Sequence, residues 1–381
     1  MKLFHLSDLH LGKRVNEFSM IEEQRHILAA VLAYSDEERP DGIIIAGDVY
    51  DKPLPPVEAV QLFDEFLVQL SQRKMHVFVI SGNHDSPERI AFGGRLMEES
   101  GIHMAPVYSG TLTAVTLADA YGEVDICMLP FVKPASVRRF FPDREIVSYT
   151  DAVRCALEEK TENTERRRIL ITHQFVTGAS RSDSEEISVG GTDNVDASVF
   201  DGFDYVALGH IHSPQNCGAD HIRYCGTPLK YSFSEEKDRK SVTVVTLEEK
   251  GNVDIRTLPL VPLRDMCTLR GSYDALMQRD FYENTAYGEN YMRIILTDEE
   301  DVPDAAAKLR TVYHNLMKLE YDNSRTRVGM EFVSVEEAEG KTPLELFAEL
   351  YESQNGHPMT EGQTAFIKAL MEEIWEDEVC G

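Results

Sequence analysis

The chain has 381 residues, 42% of them hydrophobic and 27% charged, a balance that suits a soluble globular protein of two or three domains and excludes a disordered or fibrous chain. No apolar run reaches the ~18–20 residues a membrane span needs, and the N-terminus enters the strand-like "KLFHL" with no signal-peptide pattern. The formal net charge of −28 argues against a free nucleic-acid binder, because phosphates favour basic surfaces.

In chain order, "KLFHLSD" reads as a first strand. Residues 20–38 have helical spacing through Ile21, Ile27, Leu28, Val31 and Leu32, and stop before Pro40. "DGIIIAGD" is a short apolar strand, "PPVEAVQLFDEFLVQLSQR" a helix opened by proline, and "MHVFVISGNHD" another strand. This βαβαβ alternation predicts a parallel or mixed sheet with helices on both faces, extended by strands at 124–129, 168–173 and 204–208. Residues 241–260 read as a hairpin turning at Lys250-Gly251-Asn252, which closes a first domain, 1–262. Residues 263–337 read as a small α+β domain, with strand-like "YMRIILT" and helix-like "DAAAKLRTVYHNLMKLE". In the final segment, 338–381, two helices are expected. Thr342-Pro343-Leu344-Glu345 is a capping box with proline at the first helical position. Leu346, Phe347, Leu350 and Tyr351 form one apolar stripe, and Ile367, Leu370, Met371 and Ile374 a second. Such stripes are more often core than partner surface.

The six cysteines are scattered without a C-x-x-C pair, which predicts reduced thiols and a cytosolic protein. Cys217 and Cys225 could face each other across a short hairpin, but two buried thiols are the simpler expectation. The acidity is uneven: residues 331–381 hold 13 Asp/Glu against 2 Lys/Arg, a net of −11. Basic clusters remain at Arg138-Arg139, Arg166-Arg167-Arg168 and Lys237, Arg239, Lys240, and solvated faces are their simplest reading.

The chemistry sits where the apolar runs end. "FHLSDLH" delivers Asp8 and His10, "IIIAGD" Asp48, "VFVISGNHD" Asn83 and His84, "ILITH" His173, and "YVALGHIH" His210 and His212. Side chains at i and i+2 of an extended segment share a side, so each D-x-H or H-x-H pair is expected to converge. In open α/β sheets, sites form beyond the carboxyl ends of the strands. One divalent ion takes about four to six donors, so Asp8, His10, Asp48, Asn83, His173, His210 and His212 exceed the needs of one and suit two. Imidazole, carboxylate and amide oxygen together fit Mn, Fe or Zn better than Ca. A pair of such ions clamps a phosphate and activates a water.

These pieces, "SDLH", "GDVYD", "SGNHD", "THQF" and "LGHIH", resemble the calcineurin-like metallophosphoesterase superfamily. The resemblance implies a four-layer α/β/β/α sandwich with two metal ions. One ion would take Asp8, His10 and His212, the other Asn83, His173 and His210, with Asp48 bridging. It implies that His84 stabilises or protonates the leaving oxygen and that the Asp51 carboxylate orients His84, raising its proton affinity. Archaeal repair nucleases of the superfamily carry a histidine at the position of Asp51, so here the sequence departs from them.

"FHLSDLHLGK", "GDVYDKPLPP", "SGNHDSPERI", "YVALGHIHSPQ", "YCGTPLKYSFSE" and the C-terminal "TPLELFAELYESQNGHPMTEGQ" are similar to the SbcD family, the nuclease half of the bacterial SbcCD complexes. That family implies DNA as substrate, ATP-dependent double-strand exonuclease action, endonuclease cleavage of single strands and hairpins, and manganese as the usual metal. Its implied partner is the coiled-coil SbcC-type ATPase, bound through the C-terminal helices. The nuclease would be a homodimer within a heterotetramer, and 263–337 a capping domain over the metals. A phosphodiesterase or phosphatase for a small nucleotide, and a metal-bound scaffold without activity, remain alternatives at this point.

Overall fold

The computed structural model describes residues 1–158, 165–185, 194–328, 343–355, 357–360, 362–368 and 370–371. The chain divides into two compact units, Met1–Met266 and Cys267–Gly381. The expected segment 338–381 falls within the second unit, and Thr342 and Ile374 lie outside the described residues.

Unit 1 contains two six-stranded sheets rather than one extended sheet. In the first, Lys2–Leu6, Gly42–Ala46, His76–Ile80 and Ile102–Ala105 run parallel in that order. Ser241–Leu247 and Val253–Pro259 add an antiparallel hairpin beside Lys2–Leu6, turning through 248–252 as expected. In the second, Gly122–Leu129, Arg167–His173, Tyr205–Gly209 and Ala219–Tyr224 are parallel neighbours. Thr113–Asp119 and Gln215–Cys217 pair antiparallel at the two edges.

The apolar runs explain why two sheets stack. Leu3, Ile44, Ala46, Phe78 and Ile80 of the first sheet pack in one buried cluster with Ile126, Met128, Ile169, Ile171, Tyr205 and Ala207 of the second. The alternate residues Leu170, Val206 and Leu208 face the other way, into a cluster with Val153, Ala156 and Leu157 of helix Tyr149–Glu158. On the first sheet, helices Ile21–Glu38 and Val57–Gln72 bury Ile27, Leu28, Val31, Leu62, Phe63, Phe66 and Leu70. Strands covered on both faces must be apolar throughout. Each fully buried Ile or Leu contributes about 1.5–3 kcal/mol. The fold is therefore the four-layer α/β/β/α sandwich. The expectation of one sheet with helices on both faces is corrected, because periodicity cannot tell whether a helix or a second sheet covers a buried face.

Unit 2 centres on a three-stranded sheet of Met266–Gly271, Tyr291–Leu296 and Asn315–Tyr321. The helix expected over "DAAAKLRTVYHNLMKLE" is corrected: the helix is only Ala305–Leu309, and Asn315–Tyr321 is a strand parallel to Tyr291–Leu296. Pairing with a neighbouring strand and burial of Leu316 override the local helical preference. Helix Pro343–Asn355 begins at the expected proline, and a second helix runs over 362–368.

Candidate metal centre

The parallel strands of both sheets end on one edge, and the loops beyond them converge there. Asp8, His10, Asp48 and His210 all have positive φ, at 52°, 43°, 48° and 102°. Strands Lys2–Leu6 and Tyr205–Gly209 end before these residues. The extended i, i+2 geometry expected for D-x-H and H-x-H is thus corrected: tight left-handed turns aim these side chains. Such backbone costs about 1–3 kcal/mol per residue. Bonds from Asp8 N to Gly47 O, His10 N to Asp48 O and Leu11 N to Val49 O, each 2.9–3.0 Å, hold it in place.

All seven expected donors meet. Asp8, His10 and His212 offer atoms within 4.8 Å of one another, as do Asp8, Asp48 and His173. The Nε2 atoms of His10 and His212 face each other at 3.1 Å, both rings buried. Asn83 Oδ1 lies 3.0 Å from His173 Nε2 and 2.9 Å from His210 Nδ1. Asp48 Oδ2 sits between the two groups, 3.8 Å from His10 Nε2 and 3.4 Å from His173 Nε2. The other seven histidines fall in none of the donor groups among the described residues.

Supporting contacts set the direction of each lone pair. His173 Nδ1 donates to Ala46 O at 2.9 Å, leaving Nε2 as the donor atom that faces Asn83 and Asp48. Asp8 accepts the main-chain N–H of His210 at 3.1 Å, joining the two sheets. Two glycines fit only because they lack a Cβ. One added at Gly82 would lie 2.1 Å from Asp48 Oδ1, and at Gly209 1.9 Å from Ala46 O.

The electrostatics suit a cation. Burial pushes the Asp8 carboxyl up, His10 well below its usual value, and His210 down to about 3. Asp48 moves the other way against its own burial, because His173, His10 and His84 hold its carboxyl below the usual range. The same pairing lifts His173 to about 9, again against burial. His10 and His210, kept neutral by burial, stand beside one ionised carboxylate as donors for a divalent metal, and a bound cation would take the place of the proton that Asp48 favours on His173. Among the described residues, His10 Nδ1 and His210 Nε2 have no hydrogen-bond partner.

His84 forms a third group with His10 and Asp48, its Nε2 4.0 Å from Asp48 Oδ2 and its ring edge-on to His10. The Asp51 carboxylate does not face it. That carboxylate bonds to Lys13 Nζ at 2.7 Å, and the contact at 3.1 Å to His84 Nδ1 comes from the main-chain oxygen of Asp51. Lys13 attracts the carboxylate, and the turn leaves the carbonyl pointing inward.

Several residues had no role in the sequence reading. Asp85, next to the G-N-H motif, accepts from the N–H groups of Val49, Tyr50 and Gly82 at 2.9–3.1 Å, tying two ligand turns together. Burial pushes its carboxyl up to about 7. Gln24 and Tyr231 bond the carbonyls of His10 and Leu9 at 2.7 and 2.6 Å. Their only sequence signal is adjacency to a motif, or none. Of the basic clusters, Arg138, Arg139, Lys237 and Arg239 are exposed, whereas Arg167 pairs with Asp119 and Lys240 is buried against Glu235.

Comparison with known proteins follows the same division. The family model "Calcineurin-like phosphoesterase" matches residues 1–214, and "Type 5 capsule protein repressor C-terminal domain" matches residues 262–355. A Staphylococcus epidermidis protein, named as the D component of the nuclease SbcCD, is 31% identical over 99% of this chain and 100% of its own length. A Staphylococcus saprophyticus protein of the same name is 30% identical over 99% of each. Among solved structures, "GAP50 the anchor in the inner membrane complex of Plasmodium" superposes with a TM-score of 0.45 at 12% identity, covering 68% of this chain and 84% of that one.

Proposed function

Because the chain belongs to the calcineurin-like phosphoesterase family, on its branch of SbcD nucleases, we propose that it is the nuclease subunit of an SbcCD-type complex. It is a metal-dependent phosphodiesterase that hydrolyses DNA. In this reading one ion is held by Asp8, His10 and His212 and the other by Asn83, His173 and His210, with Asp48 shared. Two Mn2+ ions would clamp the scissile phosphate and lower the pKa of a bound water. The observation that supports this most is the convergence of seven buried or half-buried donors from five separate chain segments.

The chain's own residues do the rest. His84 contacts the scissile phosphate through Nε2 and delivers a proton to the leaving oxygen, while the Asp51 carbonyl fixes its ring. Asp51 is then a positioning residue acting through its main chain, and its carboxylate steadies Lys13. Residues 263–337 serve as a capping domain, and 338–381 as the docking segment for a coiled-coil SbcC-type ATPase. Exposure of Leu350 at 53% and Phe366 at 66% supports that docking. The net charge of −28 supports a DNA channel completed by a second copy and by the ATPase, within a heterotetramer. ATP-dependent exonuclease and single-strand or hairpin endonuclease activities, in DNA repair, recombination and replication, belong to that assembly. Among the described residues no helix is long and apolar enough to cross a membrane, and a cytoplasmic location fits this role.

The test compares nicking of supercoiled plasmid with hydrolysis of a nitrophenyl phosphate after chelation and after Mn2+ is restored. Manganese-dependent nicking is expected, and turnover of the small ester alone would sink the nuclease reading.

A further inference from the structure

We propose that Ser184, Glu235 and Lys240 form a relay that fixes His212 in its metal-ligating tautomer, so that one of the two ions depends on a side chain the other does not need. This rests on the two-metal reading above. His212 Nε2 faces His10 Nε2 at 3.1 Å, so Nε2 is the ligating nitrogen and Nδ1 must carry the proton. Nδ1 lies 2.5 Å from Ser184 Oγ, which lies 2.5 Å from Glu235 Oε1.

The directions of these bonds are forced. Glu235 is 0% exposed, and its other oxygen pairs with buried Lys240 Nζ at 2.6 Å. An ionised carboxylate can only accept, so the Ser184 hydroxyl donates to it. The hydroxyl oxygen is then left to accept from His212 Nδ1–H. The direct gap from Nδ1 to Glu235 Oε1 is 3.9 Å, too long for a hydrogen bond, so the serine is the necessary bridge. Lys240 Nζ also donates to the His212 carbonyl at 2.9 Å, and Glu185 accepts the His212 N–H at 2.6 Å, so the backbone is held separately from the ring.

Neither histidine of the other ion uses a side-chain relay of this kind among the described residues. His173 Nδ1 uses the main-chain carbonyl of Ala46, which no substitution removes. Removing Ser184 should therefore weaken one site and spare the other. Outer partners of metal-bound histidines typically contribute 10–100-fold in metal affinity.

Calorimetric titration of the full-length protein with Mn2+ tests this, with thermal unfolding as a check on the fold. For Ser184→Ala we expect one site at wild-type affinity and the other weakened about 10–100-fold, with Ser184→Thr, which keeps the hydroxyl, restoring both. Two unchanged sites in Ser184→Ala would overturn the relay alone, whereas a wild-type protein that binds no Mn2+ would overturn the two-metal reading and the relay with it. If the alanine variant fails to fold, nitrogen chemical shifts of His212 in metal-free wild type decide the matter. The Nδ1–H tautomer is expected, and an Nε2–H tautomer refutes the relay.

Discussion

His84 is the residue whose chemistry is most separable from metal binding. It belongs to the motif that supplies Asn83, yet its ring is held by the Asp51 carbonyl, and only its main-chain N–H bonds Asp48, at 2.9 Å. If the proposed two-metal reading holds, His84→Ala should retain Mn2+ binding by calorimetry while losing roughly 10²–10⁴-fold in nicking rate, the usual worth of a positioned general acid. Loss of both ions in this variant would reassign His84 from chemistry to structure. The residue types were legible in the sequence because donors after apolar runs are rare. The Asp51 contact was not, because a side chain and a main-chain oxygen of one residue are indistinguishable until the turn is folded.

At the scale of elements, Arg167 shows how a surface-looking motif becomes structural. It opens strand Arg167–His173, is 3% exposed, and pairs with Asp119 at the end of the neighbouring hairpin. Arg167 holds the Asp119 carboxyl below the usual carboxylate range, against a smaller opposing effect of burial. A depressed carboxylate stabilises the fold above its unfolded pKa and loses that contribution as pH falls through the folded value. Asp119→Asn should thus lower unfolding free energy at pH 7 by about 1.5–3 kcal/mol, the usual worth of a hydrogen bond to a charged group, with the difference from wild type beginning to shrink below about pH 4. Urea denaturation at several pH values checks this, and a deficit that is as large at pH 2 as at pH 7 would contradict it. The strands Gly42–Ala46 and His76–Ile80 were legible because burial on both faces demands unbroken apolar runs. Asn315–Tyr321 was not, because its helix-favouring residues hide a strand that only pairing with Tyr291–Leu296 and burial of Leu316 fix.

For the whole molecule, the exposed apolar residues of the C-terminal helices set the expectation. Leu350 and Phe366 are solvent-facing, so their replacement should not disturb the sandwich. Leu350→Asp combined with Phe366→Asp should abolish co-purification with the proposed ATPase partner and leave metal-dependent nicking by the isolated nuclease within about two-fold, as expected of surface substitutions that leave the fold intact. Undiminished co-purification would place the ATPase contact elsewhere.

The sequence by itself determined which side chains could hold metal and which strands were buried. Both depend on local chemistry: donor atoms are fixed by residue type, and strand burial by an unbroken apolar run. Only the tertiary structure decided that the strands form two stacked sheets and that left-handed turns, rather than strand alternation, aim Asp8, His10, Asp48 and His210. It alone also joined Ser184 and Glu235 to His212. These are relations between segments up to about two hundred residues apart (Asp8 and His210, His10 and His212), and the free energy of a contact between remote segments exists only once the chain has closed around it.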